Sequence, residues 1–528
     1  MHPRRRDWLA GAAALAAIRP ARAGELVYHR GNDADPETLD PHRSSTVAEA
    51  HILRDLGDGL LTYDNRGEII PGAARAWTAS EDGLTFRFDL SPDGRWSNGE
   101  AVTAADFVYS LRRILDPRTG AKYAEVLFPI RNAAAVNRGQ TPVETLGVQA
   151  DGPLRLSIEL EQPTPYFLEL LTHQTALPVH RASVERYGDS FTRPGNLVTN
   201  GAYRLRDRVP GGAITLEANP HHPAAADLAI RCVAFLPTPD MASAVRRYAA
   251  GEIDSLADLP VDQIADLRRR FGPQVVLGPS LGLAALAVNT RKAPFSDRRV
   301  RQALSLIIDR EYLADGLNGG TMSPAYSLCP PGLDHYRTPP ETEGRLGLPI
   351  DHEAEARRLL AEAGFGPDHP LAVEYRFNVS DNNRIVAVAI ADMWRDLGIR
   401  TRFVYTDAKT HFAYLRDGGD FDVARMSWIA DYSDPQNFLF LLESGNDGMN
   451  VGHWSDAAYD GLMARAAAER DLGRRADLLY QAESIALREL PWIPLMHYRS
   501  KALIAPRLHG YHPNLRNAAP TRFLRLDA

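Results

Sequence analysis

The chain has 528 residues, 44% of them hydrophobic and 24% charged, with a formal net charge of −7. This ordinary globular composition excludes collagen-like, coiled-coil and disordered chains, and the length predicts roughly two to four domains around a sizeable core. An acidic balance without a basic stripe excludes nucleic acid as a partner, and two cysteines make no disulfide scaffold.

Residues 1–23 carry five arginines against one aspartate, an apolar run over 8–18, and then Ala21-Arg22-Ala23. A basic start, a short apolar stretch and a small-residue cleavage site together read as a signal peptide. The run of 11 residues is too short to span a bilayer, which takes about 20. Arg5-Arg6-Asp7-Trp8-Leu9 also fits the twin-arginine export pattern. No cysteine follows the cleavage site to accept a lipid, and no later stretch of 18 apolar residues occurs. The mature protein is expected to be soluble and outside the cytoplasm.

Beyond the leader, alternating apolar and polar residues predict half-buried strands over 84–90 and 154–160. Further strands are expected over 213–218, 231–235, 283–288, 372–377 and 400–405. Ser296 is a candidate N-cap for a helix with Val300, Ala303, Leu304, Ile307 and Ile308 on one face. Asp351 can cap another that stops at Gly364. Helices over 385–397, ended by Gly398, and 473–490, stopped by Pro491, complete the pattern. Two successive helix–strand units, 352–377 and 385–405, predict an α/β lobe in the C-terminal half. Strand-rich sequence around 60–160 predicts a separate one. The fold class is therefore α/β with mixed α+β lobes.

Motifs for chemistry are sparse. Gly278-Pro279-Ser280-Leu281-Gly282 matches G-x-S-x-G, but a nucleophile elbow needs a helix directly after it. Here a strand is expected next, and Pro279 fixes φ just before the serine. The segment reads as a plain loop, and an exported serine hydrolase acting through Ser280 is the weaker alternative. Histidines 173, 180, 221, 222 and 497 lack metal-ligand spacing, and no phosphate loop or dinucleotide fingerprint occurs. No metal, no cofactor and no enzyme activity are expected. Cys232 and Cys329 are either a long-range bridge, in principle stabilising by about 4–5 kcal/mol, or buried thiols.

Several runs make sense together. Pro71-Gly72-Ala73-Ala74-Arg75-Ala76-Trp77 precedes Asp82-Gly83-Leu84-Thr85-Phe86. Trp96-Ser97-Asn98-Gly99-Glu100-Ala101-Val102-Thr103-Ala104-Ala105-Asp106-Phe107 follows. Later come Val198-Thr199-Asn200-Gly201-Ala202-Tyr203, Val288-Asn289-Thr290 and Ser427-Trp428-Ile429-Ala430-Asp431-Tyr432-Ser433-Asp434-Pro435. Over about residues 26–515 the chain resembles the periplasmic oligopeptide-binding proteins of the peptide/nickel-binding family 5, the receptor components of peptide ABC importers.

The resemblance implies a type II periplasmic-binding-protein fold, with two main lobes that close on a ligand by a hinge, plus an extra lobe. By this analogy lobe I takes 24–57, 182–282 and 499–528, the extra lobe II takes 58–181, and lobe III takes 283–498. It further implies that Asp431 takes a peptide's α-amino group. Ser427, Trp428 and Ile429 are similar to the strand that pairs with an extended peptide, and Ser45 and Val47 to the segment facing it. Arg425 matches a position that meets the carboxylate of a short peptide, and Tyr123 an aromatic near the first side-chain pocket. Taken alone, Asp431 reads as a turn former, Trp428 as a core aromatic and Arg425 as half of an internal salt bridge.

The chain departs from well-studied members at Leu283, Ala284, Ala285 and Leu286, where they have several tyrosines, and near Asn383, where they have a histidine. Their paired cysteines correspond to Gly282 and Ile429. The implied function is an extracytoplasmic receptor that delivers short peptides to ABC permease subunits in the inner membrane, working as a monomer. A receptor of the same fold for another solute, such as a cell-wall peptide, nickel complex or opine, is the alternative.

Overall fold

The computed structural model describes residues 26–342 and 351–528; the leader-like segment 1–23 lies outside the described residues. The apolar run from Leu281 to Val288 is buried throughout, as a strand with neighbours on both sides must be. It is the second half of the 14-residue strand Val275–Val288. This strand lies inside a large mixed sheet in the order Arg400–Thr406, Ala372–Asn378, Val423–Ile429, Val275–Val288, Trp492–Ile504, Ser255–Leu256, Val27–Gly31, Cys232–Leu236, Ile214–Ala218, Tyr203–Arg208.

The two longest strands join the halves of this sheet. Val275–Pro279 pairs antiparallel with Arg499–Leu503, and Leu283–Ala287 with the other end of the same partner, Trp492–His497. The register slips between Pro279 and Leu283. The Gly278–Gly282 motif, expected as a loop, is thus the irregular middle of a continuous strand. Gly278 is required there because a Cβ would collide with Pro513. The strand that follows excludes the nucleophile-elbow geometry at Ser280.

The helix–strand units of the C-terminal half form as expected. Ala372–Asn378 and Arg400–Thr406 pair in parallel from Ala372↔Arg400 to Asn378↔Thr406, with helix Asp381–Asp396 between them. Asp351 caps His352–Glu362 by accepting from Ala354 N. Two boundaries differ from expectation. Asp297, not Ser296, caps Arg298–Leu306, its carboxylate accepting from Arg299 N at 2.9 Å. The helix expected from 385 starts at Asp381 because Ser380 accepts from Asn383 N. A separate four-stranded sheet, Ala74–Ala79, Thr85–Leu90, Arg155–Glu159 and Val148–Ala150, packs on helix Ala104–Leu115 around Phe88, Trp96, Phe107 and Leu111.

Cys232 and Cys329 are both buried and are not bridged; Cys329 sits in the core with Leu328, Phe438 and Leu479. Beside it lies the buried Glu483, which accepts from Leu328 N and Cys329 N at 2.8 Å each and from Tyr336 OH at 2.6 Å. Burial outweighs these donors and pushes the Glu483 carboxyl up to about 7. An unfolded glutamate titrates near about 4.3, so between these values the folded state holds the extra proton. The contribution of this site to stability therefore falls as pH rises from about 4.3 to about 7 and is flat above. Urea unfolding across that range should show a shallower decline in Glu483→Gln than in the parent; identical slopes would refute the assignment.

Candidate functional site

The helix Val47–Leu56 begins with a capping box. Thr46 accepts from Glu49 N, and Glu49 Oε2 accepts from Ser45 N at 2.8 Å and Thr46 N at 3.0 Å. Its other oxygen accepts from Thr38 N at 3.2 Å. A single buried carboxylate thus fixes the backbone on both sides of the helix start. It leaves Ser45 and Val47 on the wall of a cavity of about 380 Å³. Val47 is 59% exposed, and across the cavity Ile429 is 57% exposed. Two large apolar side chains left in water on facing walls are an unsatisfied surface.

Ile429 ends a strand that is paired on one side only. Val423–Ile429 pairs with Val275–Val288 along its full length, from Val423↔Val288 to Ile429↔Gly282. On its other side Ala372–Asn378 reaches only Val423 and Ala424. Ala430 N donates to Leu281 O, so by alternation Trp428 and Met426 turn their main-chain groups to the inner neighbour. Arg425, Ser427 and Ile429 turn theirs to the open edge. His411 Nε2 already meets Arg425 O at 2.9 Å; among the described residues no strand covers the rest. Gly282 stands opposite Ile429, where a Cβ would meet the side chains of Ile429 and Tyr498.

Two residues beyond this edge is Asp431, on the same cavity. Among the described residues no cation lies within ion-pair distance of its carboxylate, whose only side-chain partner is Tyr123 OH at 3.4 Å. Burial, with the nearby Glu125 charge, pushes the Asp431 carboxyl up. Tyr123 is pushed up to about 12, chiefly by burial and then by Asp431. Its ring stacks on His173 with centroids 5.7 Å apart. An unpaired, partly desolvated carboxylate beside an open strand edge can take a cation carried on an extended chain.

Arg425 makes hydrogen bonds to Asn378 Oδ1 at 2.9 Å and Tyr498 OH at 3.1 Å, with Ser427 Oγ at 3.4 Å. No acid pairs with it among the described residues, so it is not half of an internal salt bridge. Trp428 turns its indole inward: Nε1 donates to Asn437 Oδ1 at 2.9 Å and the ring meets Phe440 edge-on. The cavity thus brings together Ser45, Val47, Tyr123, Ile429 and Asp431, while Arg425, Ser427 and Trp428 lie along the strand outside its lining. Ser280 lines it too, and no histidine bonds its hydroxyl among the described residues.

Sequence reasoning missed the rest of the wall: His51, Arg54, Gln174 and Arg516. The helix residues had a signal, since 47, 50, 51 and 54 form one stripe at helical spacing. Arg516 had none. Its guanidinium donates to the buried Glu169 Oε1 at 2.8 Å and pairs with Asp334. Glu169 also accepts from Ser433 N at 2.8 Å, two residues past Asp431. On the far side of that turn Asp434 and Arg475 form a buried bidentate pair at 2.7 and 2.8 Å.

Comparison with known proteins gives a consistent set of likenesses. Residues 68–450 match the family described as bacterial extracellular solute-binding proteins, family 5 Middle. The periplasmic oligopeptide-binding protein OppA of Escherichia coli K12 is 36% identical, covering 95% of this chain and 93% of its own. A solved structure of the murein tripeptide-binding protein MppA in an unliganded open form superposes with a TM-score of 0.88 at 35% identity, covering 95% of this chain and 98% of that one. Haemophilus influenzae OppA in complex with RPPGFSPFR gives a TM-score of 0.74 at 31% identity, over 95% and 99%.

Replacing Glu169 by alanine leaves Arg516 with Asp334 and the Gly67 carbonyl and orphans the Ser433 N–H. Breaking a buried pair costs about 3–5 kcal/mol, so urea unfolding of Glu169→Ala should lose an amount near the lower end of that range. An unchanged unfolding midpoint would show that the junction contributes nothing.

Proposed function

Because the chain belongs to the family 5 bacterial extracellular solute-binding proteins, and so is a binding receptor and not an enzyme, we propose that its solute is a short peptide. The observation that carries this reading is the open strand edge at Arg425–Ile429 ending beside the unpaired Asp431. An extended peptide adds as a strand to that edge, so that main-chain groups supply affinity that ignores side-chain identity. Asp431 takes the peptide's amino group. Ser45 and Val47 face it from the opposite wall, Ser427 and Ile429 offer the edge, and Trp428 supports the strand from behind. Tyr123 borders the first side chain, and Arg425, which has no acid partner among the described residues, meets the carboxylate of a short peptide.

The lobes close around this ligand. Their limits are 24–57 with 182–282 and 499–528, then 58–181, then 283–498. Separate hydrophobic clusters support this division: Tyr28, Ile52, Leu216 and Leu524 in one, Phe88, Trp96 and Phe167 in another, and Leu286, Tyr375 and Trp394 in a third. The protein is exported under the leader 1–23 by the twin-arginine route, works as a monomer in the periplasm, and hands its peptide to the inner-membrane permease subunits of an ABC importer. Among the described residues no helix is long and apolar enough to cross a membrane.

Mass spectrometry of ligand co-purified with the native protein tests the solute class directly: a free-amino peptide supports the reading, a cell-wall peptide narrows it, and a nickel complex or opine overturns it. After refolding to strip bound ligand, Asp431→Ala should weaken calorimetric binding of tripeptides by roughly two to three decades, as loss of a desolvated charge partner implies. The parent should bind N-acetylated peptides poorly and the variant should barely distinguish the two forms. In the parent, affinity should fall as pH drops through the raised range of the Asp431 carboxyl, because the protonated acid no longer pairs with an ammonium. Equal affinity of Asp431→Ala for free peptides would reduce Asp431 to a turn residue.

A further inference from the structure

The cavity that carries Asp431 also holds, among the described residues, a cation without a counter-ion. Arg54 sits in the last turn of Val47–Leu56 and lines the same cavity. Its Nε is buried without a hydrogen-bond partner, and among the described residues no carboxylate or acceptor meets its guanidinium. The acids of its own helix and of the segments packed on it are engaged elsewhere, and Asp431, on the same cavity, is not within ion-pair distance of it. Glu49 holds backbone N–H groups, Asp55 accepts from Thr521 N at 2.9 Å, Asp58 binds His222 and Arg522, and Glu169 binds Arg516, the other arginine of this wall.

Two further polar groups beside Arg54 are also unsatisfied. His51 and Gln174 are each only 4% exposed and line the cavity, and His51 Nδ1 and Gln174 Oε1 have no partner. Burial and the Arg54 charge together hold His173 low, at about 3, and Arg30 adds further positive charge near Arg54. A helix C-terminus favours a cation, which accounts for a basic residue in this turn. It does not account for a desolvated guanidinium with every acid nearby committed elsewhere, since unpaired buried polar groups are costly and rare. An anion brought by a ligand would complete the guanidinium, whereas the Gln174 Oε1, an acceptor, would be met by an N–H of the same ligand.

We propose that Arg54, with His51 and Gln174, forms an anion-accepting locus that selects peptides whose first residue bears a carboxylate side chain. This rests on the peptide reading above: Asp431 takes the amino group and Arg54 the acidic side chain of the same residue. The ligand end is then held by two opposite charges in one cavity, and charge-assisted hydrogen bonds to the guanidinium discriminate acid from amide.

The test uses C-terminally amidated Glu-Ala-Ala, Gln-Ala-Ala and Lys-Ala-Ala, so that the side chain is the only carboxylate, with protein refolded free of ligand. Calorimetry on the parent should show Glu-Ala-Ala binding roughly tenfold or more tighter than Gln-Ala-Ala, and Lys-Ala-Ala weakest, a gap in the range of one charged hydrogen-bonded pair. Arg54→Met should erase the preference while keeping affinity for Gln-Ala-Ala, and Arg54→Lys should restore part of it. With no internal partner lost, the melting temperature of the ligand-free Arg54→Met variant should not fall. The parent measurement alone is decisive if that variant fails to fold. Binding of Gln-Ala-Ala with no preference for Glu-Ala-Ala overturns the anion locus and leaves peptide binding standing; no binding of any of the three, nor of free-acid Ala-Ala-Ala run beside them, overturns both.

Discussion

A carboxylate removed from water needs donors around it, and Glu169 finds them by drawing remote parts of the chain to one point. Its Oε1 takes Arg516, the Ser433 N–H and, more distantly, the Tyr63 hydroxyl. Arg516 extends the junction to Asp334. On the other flank the Asp434–Arg475 pair grips the same turn. The turn after the Val423–Ile429 strand is therefore clamped by buried charge on both sides, while Asp431 at its start is left without a cation. A site whose scaffold is satisfied and whose anchor is not is organised before its ligand arrives, which lowers the entropy lost on binding.

The sheet explains how one wall can be rigid while the cleft stays open. Val275–Val288 and Trp492–Ile504 run through both halves, and their pairing slips between Pro279 and Leu283 and again between Ala284 and Ala285. The first of these points borders the cavity through Ser280 and Leu281. The likeness in shape is greater to an unliganded open relative than to a peptide complex, with TM-scores of 0.88 and 0.74. Bending concentrated at an interrupted ladder would change the distance between Val47 and Ile429 without disturbing the pairing that carries the open edge.

Local pattern was legible wherever the deciding contacts are local. The alternation in 84–90 became Thr85–Leu90, and Asp351 caps its helix as read. Ser296 lost to its neighbour because Asp297 offers a charged acceptor at the same turn. The Gly278–Gly282 segment misled because glycine and proline usually break strands, whereas here a close neighbour, Pro513, needs the missing Cβ. Asp431 and Tyr123 were found through a shared motif, not through spacing. Glu169 and Arg516 escaped altogether, since they are 347 positions apart and only the fold joins them. Arg54 lay in plain view on the stripe with Val47, but its lack of a partner is a property of three dimensions.

The two cysteines bear on where this protein can finish folding. Both are buried thiols, and at the Gly282–Ile429 pair the two strands are held by packing and by the main-chain bonds of flanking residues such as Ala430 N to Leu281 O. A fold with no cross-link to form gains nothing from an oxidising compartment and loses nothing in a reducing one. Folding of the receptor therefore needs no oxidant, and changes in the redox poise of its surroundings leave the cleft as it is.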